Sequence, residues 1–278
     1  MDKAKELANK LEAWYIKTDK VVIALSGGID SSLVTYSARK ILGKQNAIAV
    51  ISASASVKQR ELDDARKFCM KYDILLDEVD AGEIEDTNYT SNPINRCYYC
   101  KSALYIKLEE LISEKYKGYY VLNGNNFSDF SDYRPGLEAA AIHKVYSPLA
   151  ECQFNKEDIR LVSRYYGLTN WNKPASPCLS SRFPYRENIT REKLHMVEMA
   201  ENFISDKGFS DVRVRISKGS ARIEVPSEEI DDLRDIFPEV SASIINFGFN
   251  SCEIDTEGLI SGKLNRTIEK DGLNKKVG

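Results

Sequence analysis

The chain has 278 residues, of which 42% are hydrophobic and 29% charged, and 39 basic against 42 acidic side chains leave a net charge of −3. That length can bury one substantial core, or a larger and a smaller domain, and the composition is that of a soluble globular protein. Its longest apolar runs are strand-length, which excludes a bilayer-spanning helix, and it has no basic tail or block of like charge, which counts against a grip on long nucleic acid.

The opening "MDKAKELANKLEAWYIK" carries charges throughout and has no signal-peptide core, so a cytoplasmic protein is expected. Leu7, Leu11, Trp14 and Tyr15 recur at helical spacing and predict an amphipathic helix there. Strands are predicted at 20–26, 47–53, 74–80 and 119–124, with a shorter one at 144–149 ("KVYSPL"). Helical patterns lie at about 30–42, 59–72, 99–116 and 155–166. In the last of these Asn155 is the expected N-cap and Gly167 the expected C-terminal stop. Nearly continuous apolar strands separated by helices imply an α/β fold: a doubly wound parallel sheet with both faces covered and the ligand at the carboxyl ends of its strands.

Beyond "NWNKPASPCLSSRFPYREN" the pattern changes. A helix over 190–207 is capped by Thr190 and stopped by Gly208. Strands follow at 211–217 and 221–226 with Gly219 in the turn between them, then a helix near 227–236 and a strand near 249–255. This reads as a smaller C-terminal α+β domain over 190–278, joined to the first domain (1–173) by a junction over 174–189 that carries Cys178.

The first predicted strand runs into Ser26-Gly27-Gly28-Ile29-Asp30-Ser31-Ser32, where a helix begins. Glycines permit positive φ and let backbone N–H groups converge on an anion, and the helix N-terminus adds partial positive charge. The hydroxyls of Ser26, Ser31 and Ser32 can donate to phosphate oxygens. Asp30 can cap the helix or hold Mg²⁺ beside them. Neither the GxxxxGK[ST] loop nor the GxGxxG fingerprint is present. The strand–SGGxDS–helix sequence resembles the PP-loop of the ATP pyrophosphatase superfamily, whose members split ATP into AMP and pyrophosphate. The resemblance implies that Ser26, Gly27, Gly28, Asp30 and Ser31 hold the pyrophosphate. Two further stretches, "ISASAS" with Ser52 and "LNGNN" with Gly124, are small and polar where the strand ends would meet adenine and ribose; simple loop composition explains them equally well.

Six cysteines are present: Cys69, Cys97, Cys100, Cys152, Cys178 and Cys252. In a cytosolic chain they are not a disulfide framework. Cys97 and Cys100 stand one helical turn apart and could serve as a redox dithiol, half of a zinc site, part of an iron–sulfur site, or core. Zinc would require Cys152 as a fourth ligand, whereas Cys97, Cys100 and Cys178 together suit a 4Fe-4S cluster with one open iron. Cys69 and Cys252 read as core. His143 and His195 sit in no recognisable pattern.

Taken together, "ALSGGIDSSLV", "DYRPGLEAA", "GLTNWNKPAS", "SSRFPY", "GFSDVRVR" and "ARIEVP" run in order along nearly the whole chain and resemble the LarE family, the ATP-dependent sulfur transferases of nickel-pincer nucleotide biosynthesis for lactate racemase. The resemblance implies ATP, Mg²⁺ and a small nucleotide substrate, pyridinium-3,5-biscarboxylic acid mononucleotide, one carboxylate of which is adenylated and then converted to a thiocarboxylate. Sulfur would come from a sacrificed Cys178 or, favoured here by the Cys97–Cys100 pair, from a 4Fe-4S cluster carrying an extra sulfide, resupplied by sulfide or another donor. Arg213 and Arg215 alternate along one strand and face the same way, which suits a nucleotide phosphate or, more blandly, a solvated face paired with acids. The resemblance further points to Glu201 and Asp232 near them, to Arg182 near the ATP phosphates, and to Asp129 and Arg134. It implies a homo-oligomer, the hexamer among the options. An iron–sulfur tRNA thiolase, an amide-forming ligase of the NAD or GMP synthetase kind and an ATP-sensing module are the competing readings.

Overall fold

The computed structural model describes residues 3–131, 135–260 and 262–266. The chain forms two compact units, one of Met1–Glu83 with Asn95–Ser176, the other of Ile84–Ile94 with Pro177–Gly278. No helix among the described residues is long and apolar enough to cross a membrane.

The first unit begins with α1 (Lys3–Tyr15), β1 (Val21–Ala24), α2 (Ile29–Leu42), β2 (Ala47–Ser52), α3 (Gln59–Lys71) and β3 (Leu75–Val79). Residues 84–94, with α4 (Thr87–Thr90), belong to the second unit. The first unit then resumes with α5 (Arg96–Glu114), β4 (Tyr120–Leu122), α6 (Pro135–Ile142), α7 (Pro148–Glu151) and α8 (Lys156–Tyr165). All pairings are parallel, in the order β3-β2-β1-β4, with Val21 opposite both Ala47 and Tyr120.

Strand alternation divides the core as the apolar runs predict. Val21, Ile23, Ala47, Ala49 and Ile51 pack with Leu11, Leu33, Ala65 and Ile159 on one face. Val22, Ala24, Ile48 and Val50 pack with Leu104, Leu108 and Ala140 on the other. Both faces are covered, so the sheet is doubly wound. Asn155 caps α8 through a reciprocal box with Asp158, worth about 1 kcal/mol, and Gly167 takes the left-handed conformation just beyond it.

The stretch 144–149 is not a strand. Only Tyr146 bridges, parallel to Leu122, and Pro148 then opens α7: proline pre-sets the helical φ and has no N–H for a ladder.

In the second unit, α9 (Arg191–Asp206) is capped by the Thr190 hydroxyl accepting from Lys193 N–H. β5 (Arg213–Ser217) and β6 (Ser220–Glu224) form a hairpin whose two turn residues, Lys218 and Gly219, both have positive φ (50° and 82°), as a type I′ turn demands. The helix expected near 227–236 is a 3₁₀ turn leading into α10 (Ile230–Asp235), and α11 (Phe237–Asn246), which the periodicity does not announce, follows. β7 (Ser251–Ile254) pairs parallel to β6.

Candidate active site

The glycine loop leaves β1 at the carboxyl edge of the parallel sheet. Gly27 adopts φ +74°, a conformation that strains any side-chain-bearing residue, while Gly28 is extended and stands at the N-cap of α2 without a side-chain cap. Asp30 therefore does not cap the helix, which corrects that expectation, and the first amides of α2 are left for an anion. Ser31 Oγ accepts from Ser26 N–H (3.0 Å) and pairs with Ser26 Oγ (3.0 Å), closing the loop into a ring.

Other elements of the same unit converge on this ring. Asp30 receives Asn126 Nδ2 (3.1 Å) and Lys156 Nζ (2.5 Å), and Ser32 Oγ receives Asn170 Nδ2 (2.8 Å), which leaves the Ser32 hydroxyl hydrogen to donate elsewhere. Gly124 lies directly against the Ser31 backbone. Asp129 is buried and accepts from Asn126 N–H. A cleft of about 280 Å³ beside Gly27 and Ser32 is lined by Asn170, Lys67, Lys71 and Lys173, the last paired with Glu61 (2.6 Å). Ser52 ends β2 with its hydroxyl buried and without a hydrogen-bond partner among the described residues, and beyond it Ser54 and Ser56 both donate to the buried Glu83 (2.5 and 2.7 Å). Asn170 and Lys173 stand within "GLTNWNKPAS" and Asn126 within "LNGNN", but only the fold shows which of those polar side chains reach the loop. Arg134 lies outside the described residues.

In the second unit Arg182, 1% exposed, is bidentate to Glu201 (Nε–Oε1 2.7 Å, Nη2–Oε2 3.1 Å), and Glu201 Oε1 also accepts from Val214 N–H. Arg215 donates to Glu224 (3.0 Å) and to the Ser181 carbonyl (2.6 Å). Arg213 differs. It is only 9% exposed, and its guanidinium bonds to no described residue. Burial pushes its pKa down; Asp211 and Glu224 oppose that shift, while Arg182 and Arg215 reinforce it. Asp232 is exposed on α10 and is not among the charges acting on Arg213. Arg182, Glu201, Arg213 and Arg215 are thus brought together.

All six cysteines are thiols. Cys97 is exposed and Cys100 partly so in the first turns of α5, and Cys178 is exposed at the N-cap of the 3₁₀ turn Leu179–Arg182. Cys69 and Cys152 are packed in the core of the first unit and Cys252 is half-buried on β7; burial pushes their thiols up, Cys69 to about 12 and Cys252 to about 11. Cys152 lies in the core of the first unit with its thiol toward the Lys10 carbonyl, which removes it as a fourth zinc ligand. By donor chemistry alone, Cys97 and Cys100, at i, i+3 on α5 in the first unit, and the accessible thiol of Cys178 in the second are of the kind that iron–sulfur clusters take. Among the described residues no three Cys, His, Asp or Glu side chains are gathered into a metal centre. His143 pairs with Glu109 and His195 is exposed on α9.

The NAD synthase family model matches residues 3–95, the segment holding the glycine loop. An uncharacterized protein of Synechocystis sp. is 44% identical over 270 residues, 95% of this chain and 100% of its own. Pyridinium-3,5-bisthiocarboxylic acid mononucleotide synthase of Lactiplantibacillus plantarum is 35% identical over 91% of this chain and 92% of its own. A chain of the glutamine-hydrolyzing GMP synthase of Archaeoglobus fulgidus is 22% identical over 69% of this chain and 66% of its own. With a glycine loop built to take an anion and a 35%-identical relative spanning nearly its full length, the chain belongs to the LarE family of ATP-dependent sulfurtransferases.

Proposed function

We propose that this enzyme adenylates a carboxylate of pyridinium-3,5-biscarboxylic acid mononucleotide and replaces one of its oxygens with sulfur, a step in making the nickel-pincer nucleotide cofactor of lactate racemase-type enzymes. The observation that carries the substrate assignment is Arg213: its buried Nε has no hydrogen-bond partner among the described residues, which costs about 1–3 kcal/mol, and a small anionic ligand removes that cost. A nucleotide phosphate is such an anion.

In the first half-reaction a substrate carboxylate oxygen attacks the α-phosphorus of ATP, and the bond to pyrophosphate breaks with its electrons leaving on pyrophosphate. Charge developing on that group meets the uncapped amides of α2 and the hydroxyls of Ser26, Ser31 and Ser32. Asp30 is the carboxylate that would hold magnesium, its bond to Lys156 opening as it does so. In the second half-reaction sulfur adds to the acyl carbon and AMP departs with the electrons of the broken C–O bond. A 4Fe-4S cluster held by Cys97, Cys100 and Cys178 would, when bound, supply that sulfur as an extra sulfide. A second reading keeps Cys178 as the donor. Its exposed thiolate would attack the acyl adenylate, and loss of the Cα proton with cleavage of the Cβ–S bond would leave dehydroalanine.

One anaerobic experiment tests both. Protein, ATP-Mg²⁺, sulfide and the biscarboxylated mononucleotide are mixed, and small molecules and intact protein are followed by mass spectrometry. One oxygen-to-sulfur exchange with matching AMP is expected at unchanged protein mass. Protein lighter by H₂S identifies Cys178 as the donor, and neither AMP nor thiocarboxylate overturns the assignment.

A further inference from the structure

The turn that carries Cys178 is held far more firmly than exposure of a thiol requires. Arg182 Nη1 donates to the carbonyls of Pro177 (2.8 Å) and Cys178 (3.2 Å) and to Ser181 Oγ (2.8 Å). Arg215 holds the Ser181 carbonyl from β5. Tyr89, buried on α4, shares a hydroxyl hydrogen bond with Ser180. Glu201, from α9, anchors Arg182 from behind. Tyr89 arrives through 84–94, the one internal stretch by which the chain leaves its first unit for the second and returns.

Such a buried polar frame is an inefficient way to gain stability, because a well-packed apolar cluster of the same volume often does as well or better. It is an effective way to fix a backbone. With the Cys178 carbonyl gripped, φ −59° and ψ 158° are set, and so is the direction in which Cβ and the thiol project. Group transfer is sensitive to this, since reacting atoms must meet at about 3–3.5 Å in the right orientation.

We infer that Tyr89 and the Arg182–Glu201 pair are positioning residues, holding the Cys178 backbone and with it the direction in which the thiol projects for sulfur transfer. This rests on the reading of Cys178 as a sulfur-handling thiol.

The test compares Tyr89→Phe, Ser180→Ala and Cys178→Ala with the unaltered protein. The readouts are melting temperature, thiocarboxylate formed per AMP released, and the rate at which iodoacetamide alkylates Cys178. Tyr89→Phe removes one hydroxyl, and Ser180→Ala breaks the same hydrogen bond from the other side should the first variant fold poorly. Each is expected to lower thiocarboxylate per AMP about tenfold and to change the alkylation rate of Cys178. An unchanged ratio in both, in a protein whose Cys178→Ala variant transfers no sulfur, overturns the positioning role alone. Full sulfur transfer by Cys178→Ala overturns the reading of Cys178 beneath it.

Discussion

Gly124 and Ser31 touch backbone to backbone: a β-carbon on Gly124 would stand 2.6 Å from the Ser31 amide nitrogen and 2.8 Å from its Cα. The loop after β4 is therefore pressed onto the first turn of α2, where the anion-binding amides lie. Gly124→Ala must drive the two apart, at a cost of about 1–3 kcal/mol for an overpacked contact. A lower melting temperature together with weaker ATP binding by calorimetry is expected. ATP affinity that survives the substitution would show that the contact is architectural only.

Arg213 and Arg215 have the same charge on the same strand face, yet their environments predict opposite results. Arg213→Met removes a buried guanidinium whose Nε has no hydrogen-bond partner among the described residues, so the protein should melt at the same temperature or higher while affinity for the mononucleotide falls about a hundredfold. Arg215→Met strips the buried Glu224 of its closest cation, leaving Lys263 at 3.7 Å, and should cost about 3 kcal/mol. Paired melting and binding measurements decide this. Equal destabilisation by both would contradict it.

Thiol chemistry should divide the cysteines by burial. A thiol whose pKa is raised carries less thiolate at any given pH, and at pH 8 a group near 12 is ionised in roughly one molecule in ten thousand. In a short iodoacetamide pulse at pH 8, Cys97 and Cys178 should be alkylated first, and Cys69, Cys152 and Cys252 last. Raising the pH toward 11 should bring Cys252 in before Cys69. Peptide mapping reads the order directly.

Anaerobically purified protein should contain iron and acid-labile sulfide. Cys97→Ser and Cys100→Ser should each lose most of the iron and, with it, repeated thiocarboxylate formation. Zinc at one per chain, with no iron, would end the cluster reading.

Much of this molecule can be read locally. The glycine loop is legible because its chemistry needs only adjacent residues: a strand, a left-handed Gly27, and the amides of the next helix. The capping box at Asn155 and the Lys218–Gly219 turn are legible for the same reason. "KVYSPL" misleads because its alternation suits a strand, while Pro148 and the single bridge at Tyr146 end pairing after one residue.

What the sequence by itself determined was the class of machine: an alternating α/β sheet with an anion-binding loop at its edge and a second, smaller α+β pattern. Period and turn chemistry are properties of neighbours along the chain. Only the tertiary structure decided that Arg215 hydrogen-bonds Glu224 while Arg213 Nε has no hydrogen-bond partner among the described residues, and that Arg182 faces Glu201 rather than open solvent. It also decided that Tyr89 sits under the Cys178 turn, 91 residues from Ser180 in sequence. Whether a buried charge has a partner depends on residues that meet only after folding, and no local pattern encodes that meeting.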